Sequence, residues 1–287
     1  MLSGLLLVDK PKGMTSMEVV EGIKRKFRVK VGHTGTLDPI ATGLLLVLVG
    51  EATKFSSFFT EMKKSYRTRA KLGEITNTYD SEGQLLERRV VDVSCDEVQR
   101  ALNKFRGKLL QTPPPFSAKR VGGRRAYEFA RKGLSVEMEP VEVHVYRADF
   151  LRCDLPYVDL FFEVSSGTYI RSLVHDLGLE LSCGAHVVEL RRLSIGGFNV
   201  ERAISYERLL KLQDVGGLIV PIEEAMDFLP SLNLEGKLAR RIRGGAPIRL
   251  KRSFERAFVR LYEDGAFIGL GLIEGEILKP YRLMRGL

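Results

Sequence analysis

Residues 32–43, GHTGTLDPIATG, place one acid, Asp38, among three glycines, three threonines, a histidine and a proline. An aspartate in such a loop commonly serves as a turn cap, bonding its own backbone while glycine supplies positive φ. Two features point to chemistry. The loop lies between a basic helix-like stretch, EGIKRKFRVKV, and an apolar run from Leu44 to Val49 that reads as a buried strand, and loops held between rigid elements are where reactive groups sit. Pro39 also restricts Asp38 to extended backbone angles, which limits where its carboxylate points. A carboxylate of ordinary pKa, about 3.9, is ionised at neutral pH and available as a nucleophile or base. Elsewhere, SGTYIRSLVHDLG brings Tyr169, Arg171 and His175 into one helix-like register. Their ordinary roles are core aromatic, surface cation and satisfied histidine.

A second constellation concerns binding. Residues 117–133, SAKRVGGRRAYEFARKG, hold Lys119, Arg120, Arg124, Arg125, Arg131 and Lys132 against the single acid Glu128, with Tyr127 and Phe129 interleaved. Such a segment either follows phosphates while its aromatics stack, or forms a solvated amphipathic helix whose aromatics face the core. The segment alone does not choose between them. The whole chain of 287 residues carries 45 Lys+Arg against 36 Asp+Glu, a net charge of +9, which favours a polyanionic partner, with nucleic acid the leading candidate.

Several chemistries are argued against. There is no GxxxxGK[ST] loop and no GxGxxG after a strand, so a nucleotide cofactor is not expected. The four histidines, His33, His144, His175 and His186, show no metal-ligand spacing, and a metal is not expected either. Cys95, Cys153 and Cys183 are too few and scattered for a disulfide framework, and are expected to be reduced and structural. No apolar stretch approaches a membrane span, and the start of the chain lacks the features of a signal peptide, so a cytosolic protein is expected.

The elements that must position these residues are legible in outline. GLLLVDKP reads as a strand. Thr15 and Glu18 form a capping box before a helix with Val20, Ile23 and Phe27 on one face, and Ser94 with Glu97 caps a second, as the S/T-x-x-E signature requires. SYRTRAKLG alternates Tyr66, Thr68, Ala70 and Leu72 on one face of a half-buried strand, the period-2 pattern. Strands VEVHVYRADF and VDLFFEV, the helix TYIRSLVHDLGLEL, the strand HVVELRRLSIGGF and a short helix around SYERLLKL follow. Helices and strands mix without a regular βαβ repeat, which predicts an α/β (α+β) domain with a mixed, largely antiparallel sheet. After Phe228 the pattern changes to short strands with glycine turns, the mark of a small β-barrel-like module. The expected division is residues 1–228 and 229–287.

Taken together, GLLLVDKPKGMTS, GHTGTLDPIATGLLLVLVGEATK, SYRTRAKLGEITNTYDSEG, QTPPPFSAKRVGGRRAYEFARKG, SGTYIRSLVHDLG and GAHVVELRRLSIGGF occur in an order that resembles the bacterial TruB family, the tRNA pseudouridine-55 synthases. The resemblance runs through nearly the whole chain, and the terminal module resembles that family's PUA RNA-binding domain. It implies isomerisation of one T-loop uridine of tRNA without cofactor or metal; a monomer is expected. Asp38 is implied as the catalytic carboxylate, Arg171 as its partner, and Tyr66 as the residue stacking on the target base. Tyr169 and Leu190 are implied to line the pocket. Extruding the uridine costs a few kcal/mol, and His33 is implied to fill the space left behind. Asp80 matches a position near the substrate, although a turn cap fits it almost as well. The basic stretch belongs to an insertion, about 114–147, implied to fold over the RNA, with Gly122 and Gly123 giving it hinge freedom.

Overall fold

The computed structural model describes residues 2–117, 119–121, 123–130, 134 and 138–284. Its centre is a mixed sheet whose strands run in the order Ile204–Ser205, Gly4–Lys10, Ala41–Val49, Ala185–Ile195, Lys64–Leu72, Tyr157–Val164, Val141–Asp154 and Gly107–Gln111. Gly4–Lys10 runs parallel to Ile204–Ser205, and Ala185–Ile195 runs parallel to Ala41–Val49; the remaining neighbours along this path are antiparallel.

Burial explains the two kinds of strand pattern. Leu6, Val8, Leu45 and Val47 pack against the helices Ser16–Phe27 and Tyr206–Lys211, while Leu5, Leu7, Leu44, Leu46 and Leu48 pack on the other face against Phe55 and Phe59. Strands covered on both faces read as unbroken apolar runs. The Lys64–Leu72 strand is covered on one face only. There Tyr66, Ala70 and Leu72 join Leu160, Phe162 and the helices Cys95–Asn103 and Ile170–Glu180, while Arg67 on the alternate face is exposed. Both capping boxes form: the Thr15 hydroxyl accepts from Glu18 N at 3.1 Å and Ser94 from Glu97 N at 3.3 Å.

Three features differ from expectation. Cys95 and Cys153 are joined in a disulfide and only Cys183 is free. The pair is 58 residues apart in the chain, so it became visible only once the helix bearing Cys95 lay beside the long strand bearing Cys153. A cross-link closing a loop of that size stabilises by about 4 kcal/mol, chiefly by restricting the unfolded chain. Among the described residues of the basic insertion, Arg120–Val121 pairs with Arg124–Arg125, and the short helix Ala126–Ala130 follows, in place of one long amphipathic helix. Finally, the module after residue 229 contains a helix, Gly236–Arg243, whose Ala239 and Ile242 are buried while Lys237 and Arg240 face out.

The strands of that module, Ser231–Asn233, Ile248–Glu263 and Ala266–Leu283, form an open three-stranded sheet rather than a closed barrel. It has its own core around Leu234, Ile248, Leu261 and Leu278, yet Phe267 and Leu270 join Phe55 and Phe59 of the larger unit. Among the described residues no helix is long and apolar enough to cross a membrane.

Candidate active site

The loop carrying Asp38 is held at almost every backbone carbonyl. Arg192 donates to Gly35 O at 3.1 Å, Thr36 O at 3.4 Å and, across the loop, Leu44 O at 2.7 Å. The Ser16 hydroxyl accepts from Leu37 N at 2.7 Å and donates to Leu37 O at 3.2 Å. Ala41 N donates to Asp38 O at 3.0 Å and Gly13 N to Pro39 O at 2.8 Å. The loop then enters the sheet through Gly43, at φ +102°, where a Cβ would stand 2.2 Å from the Arg192 carbonyl oxygen. Only glycine permits so close an approach of two strands. A turn so fully bonded presents its carboxylate in one place.

That carboxylate meets Arg171. Arg171 Nε donates to Asp38 Oδ2 at 2.9 Å and Nη2 to Asp38 Oδ1 at 3.0 Å, the two-pronged geometry that favours arginine over lysine. The guanidinium also donates to Thr78 O at 2.7 Å and Phe116 O at 2.9 Å, and its Nη1 lies 3.5 Å from Asp80 Oδ2. Arg171 stands in the first turn of the helix Ile170–Glu180, where the helix dipole disfavours a cation. Two carboxylates and two carbonyls compensate. The Arg171 side chain is 3 % exposed whereas that of Asp38 is 33 % exposed, so the pair is buried at the arginine and open at the acid. The helix start is itself tied down: the Gln111 amide bonds both Tyr169 N, at 2.8 Å, and Tyr169 O, at 3.0 Å.

Asp38 opens onto a cavity of about 580 Å³ lined also by Tyr66, Tyr169, Leu190, Lys119 and Lys64. That volume lies in the range of small-ligand pockets, about 300–1,000 Å³. Tyr66 and Leu190 are buried in its wall. Burial raises the Tyr169 hydroxyl above its ordinary value, with the negative charge of Asp38 acting in the same direction. Lys119 reaches the cavity while its ammonium donates to Glu139 O at 2.8 Å.

The other candidate residues are more dispersed. Asp80 sits behind the site rather than in the cavity wall, where it caps a turn and also faces Arg171. Its Oδ1 accepts from Glu82 N at 3.1 Å, a turn cap, while Oδ2 faces Arg171. His33 lies on the short strand Val31–His33 paired with Ala41–Val49, outside the cavity lining. Arg120, Arg124 and Arg125 form the hairpin backbone; Arg131 and Lys132 fall outside the described residues.

Sequence reasoning missed Gln111, the carbonyls of Thr78 and Phe116, Glu82, Lys10 and Lys64. The carboxyl of Glu82 is raised by burial, with Asp80 and Asp38 adding to it. Fully buried Lys10 donates to Met14 O and Pro11 O, and burial lowers it to about 8. For Lys64 a signal existed: it shares the inward face with Tyr66 and Thr68, a position where a half-buried strand seldom carries a charge.

Residues 23–170 match the TruB family pseudouridylate synthase N-terminal domain, residues 171–227 the tRNA pseudouridylate synthase B C-terminal domain, and residues 230–284 the pseudouridine synthase II TruB C-terminal family. The tRNA pseudouridine synthase B of Aquifex aeolicus is 46% identical over 286 residues, covering 99% of this chain and 100% of that protein. That of Sodalis glossinidius is 42% identical, over 98% of this chain and 93% of its own length. A solved Cbf5-Nop10-Gar1 complex contains a chain similar in fold, with a TM-score of 0.73 and 26% identity, over 96% of this chain and 83% of that one.

Proposed function

The chain belongs to the TruB family of pseudouridylate synthases, and from that premise we propose that it converts a uridine of tRNA, the T-loop uridine 55, to pseudouridine. The observation that carries the reading is the Asp38–Arg171 fork opening onto the cavity that Tyr66 also lines. The reaction breaks the N1–C1′ glycosidic bond, turns the uracil, joins C5 to C1′ and exchanges the C5 proton for one on N1. Composition and oxidation state are unchanged, so residues of the chain suffice.

Asp38 supplies the anionic group at the ribose–uracil unit. Arg171 stabilises its ionised form after water has been displaced, when an unpaired carboxylate would be costly to bury. Tyr66 stacks on the detached base and takes the C5 proton, while Tyr169 and Leu190 close the sides and keep the uracil from leaving. A uridine in a folded T-loop is extruded before it reaches the cavity, with His33 entering the vacated space and the basic insertion, through Lys119 and its neighbouring arginines, gripping the T-arm. Residues 1–228 form the catalytic unit and residues 229–287 an RNA-holding PUA unit, and the protein acts as a monomer in the cytoplasm.

The test is to incubate unmodified tRNA with purified protein, no cofactor added, and map pseudouridine with carbodiimide. Modification at position 55 is expected. Release of free uracil would identify a hydrolase, and bound but unmodified tRNA a binding protein; either result would overturn the reading.

A further inference from the structure

Behind the Asp38 loop, two cations are buried side by side. Lys64 is 7 % exposed and Arg192 1 % exposed. A Cβ built on Gly35 would lie 3.7 Å from Lys64 Cε and 3.8 Å from Arg192 Nη1, so both side chains converge on one point of the loop. Among the described residues neither forms an ion pair. Arg192 donates to the carbonyls of Gly35, Thr36 and Leu44, and Lys64 to Thr60 O at 2.8 Å and Met62 O at 2.6 Å.

Two like charges in a low-dielectric setting without a counter-charge repel each other and have lost their hydration. The effect registers on Lys64, which burial first and Arg192 second lower to about 8. A stripped cation pair is ordinarily neutralised by a carboxylate, as Arg171 is by Asp38 and Asp80; among the described residues no carboxylate does so for Lys64 and Arg192. Arg192 is occupied in holding the loop, but an ammonium has three donors and Lys64 uses two on carbonyls, leaving one for a ligand. Both residues line the same cavity as Asp38 and Tyr66.

We infer that Lys64, backed by Arg192, is an anion subsite of this cavity and that its occupant is a phosphodiester of the RNA strand adjoining the target nucleotide. The inference rests on the proposed RNA substrate. Gly35 and Asp38 are three residues apart, a span of at most about 11 Å, so a phosphate over Gly35 belongs to the nucleotide acted on or its immediate neighbour. The RNA thereby delivers the counter-charge that Lys64 and Arg192 do not find among the described residues. Lys64 positions substrate through its phosphate and takes no part in the bond changes.

The experiment measures binding of a T-arm stem-loop by fluorescence anisotropy across salt concentrations, for the full chain and Lys64→Met. Loss of one phosphate contact should weaken binding about tenfold and make log Kd less steep in log salt by about 0.7–0.9. The melting temperature of the free variant should hold or rise, because an uncompensated buried charge is gone. A second arm needs no variant: wild-type protein binds stem-loops in which one phosphate beside the target uridine is a neutral methylphosphonate. One such RNA should lose affinity with wild type and none further with Lys64→Met. Unchanged affinity and slope in the variant, or no methylphosphonate effect at either phosphate, would overturn the inference. So would a variant that melts earlier yet binds with the wild-type slope, since Lys64 would then serve only the fold. Pseudouridine mapping with wild type runs in parallel, so an active enzyme without a Lys64 effect sinks this inference alone.

Discussion

Arg171 holds the Asp38 carboxylate in place, and the reason is geometric. Its two nitrogens meet the two carboxylate oxygens at 2.9 and 3.0 Å, and its remaining donors reach Thr78 and Phe116. Arg171→Lys keeps the charge but cannot span the carboxylate and two carbonyls together. Single-turnover rates on tRNA should fall roughly 100-fold, the scale on which small misplacements of a reacting group act, with tRNA affinity little changed; rates near wild type would remove Arg171 from the reaction. At this scale the sequence made Asp38 before its proline and Tyr66 on an alternating strand readable, whereas Arg171, whose ordinary reading is a surface cation, stood out only through the family resemblance. The sequence was silent where backbone works, because the Thr78 and Phe116 carbonyls that hold Arg171 are independent of the side chains there. Lys64 could have been found from its inward register beside Tyr66.

The Ile170–Glu180 helix illustrates how an element's placement reaches the site. Gly178 lies against the start of the next strand, where a Cβ would stand 2.2 Å from Ala185 N and 2.4 Å from Gly184 C. Alanine in place of glycine ordinarily stabilises a helix by about 1 kcal/mol. Here Gly178→Ala should reverse the sign and destabilise by about 1–3 kcal/mol, as overpacking does, and the displaced helix should carry Arg171 out of register and lower the rate. Thermal melting with a parallel activity assay checks both; a variant melting above wild type would mean that the helix is not seated as described. Capping boxes made the Ser16–Phe27 and Cys95–Asn103 helices legible. The Cys95–Cys153 bond was not, since pairing depends on which elements touch, and the Gly236–Arg243 helix was hidden because only Ala239 and Ile242 turn inward among basic residues and flanking glycines.

For the molecule as a whole, the question is how chemistry and grip are divided. Every candidate reacting residue lies before residue 229, whereas the terminal unit offers Lys237 and Arg240 exposed on one helix. Cutting the chain near Asp227 would be a poor test, because Phe267 and Leu270 cover Phe55 and Phe59 and Arg260 donates to the carbonyls of Glu223 and Leu229. Surface substitution leaves that contact intact. The double change Lys237→Ala with Arg240→Ala should weaken binding of full tRNA and lessen its salt slope by up to about 1.8, for two phosphate contacts at about 0.9 each. The saturated rate on an isolated T-arm should be unchanged. A fall in that rate would show that the terminal unit helps to build the active site.

One carboxylate, aimed by a fully bonded loop, is proposed to carry a cofactor-free isomerisation. Asp38→Asn changes that charge with almost no change of shape, so folding and tRNA binding should persist. The direct measurement is single-turnover formation of pseudouridine at position 55 by wild type and Asp38→Asn, with circular dichroism and tRNA affinity recorded on the same samples. A folded variant that binds tRNA and forms no pseudouridine is expected. Substantial turnover by that variant would contradict the proposal.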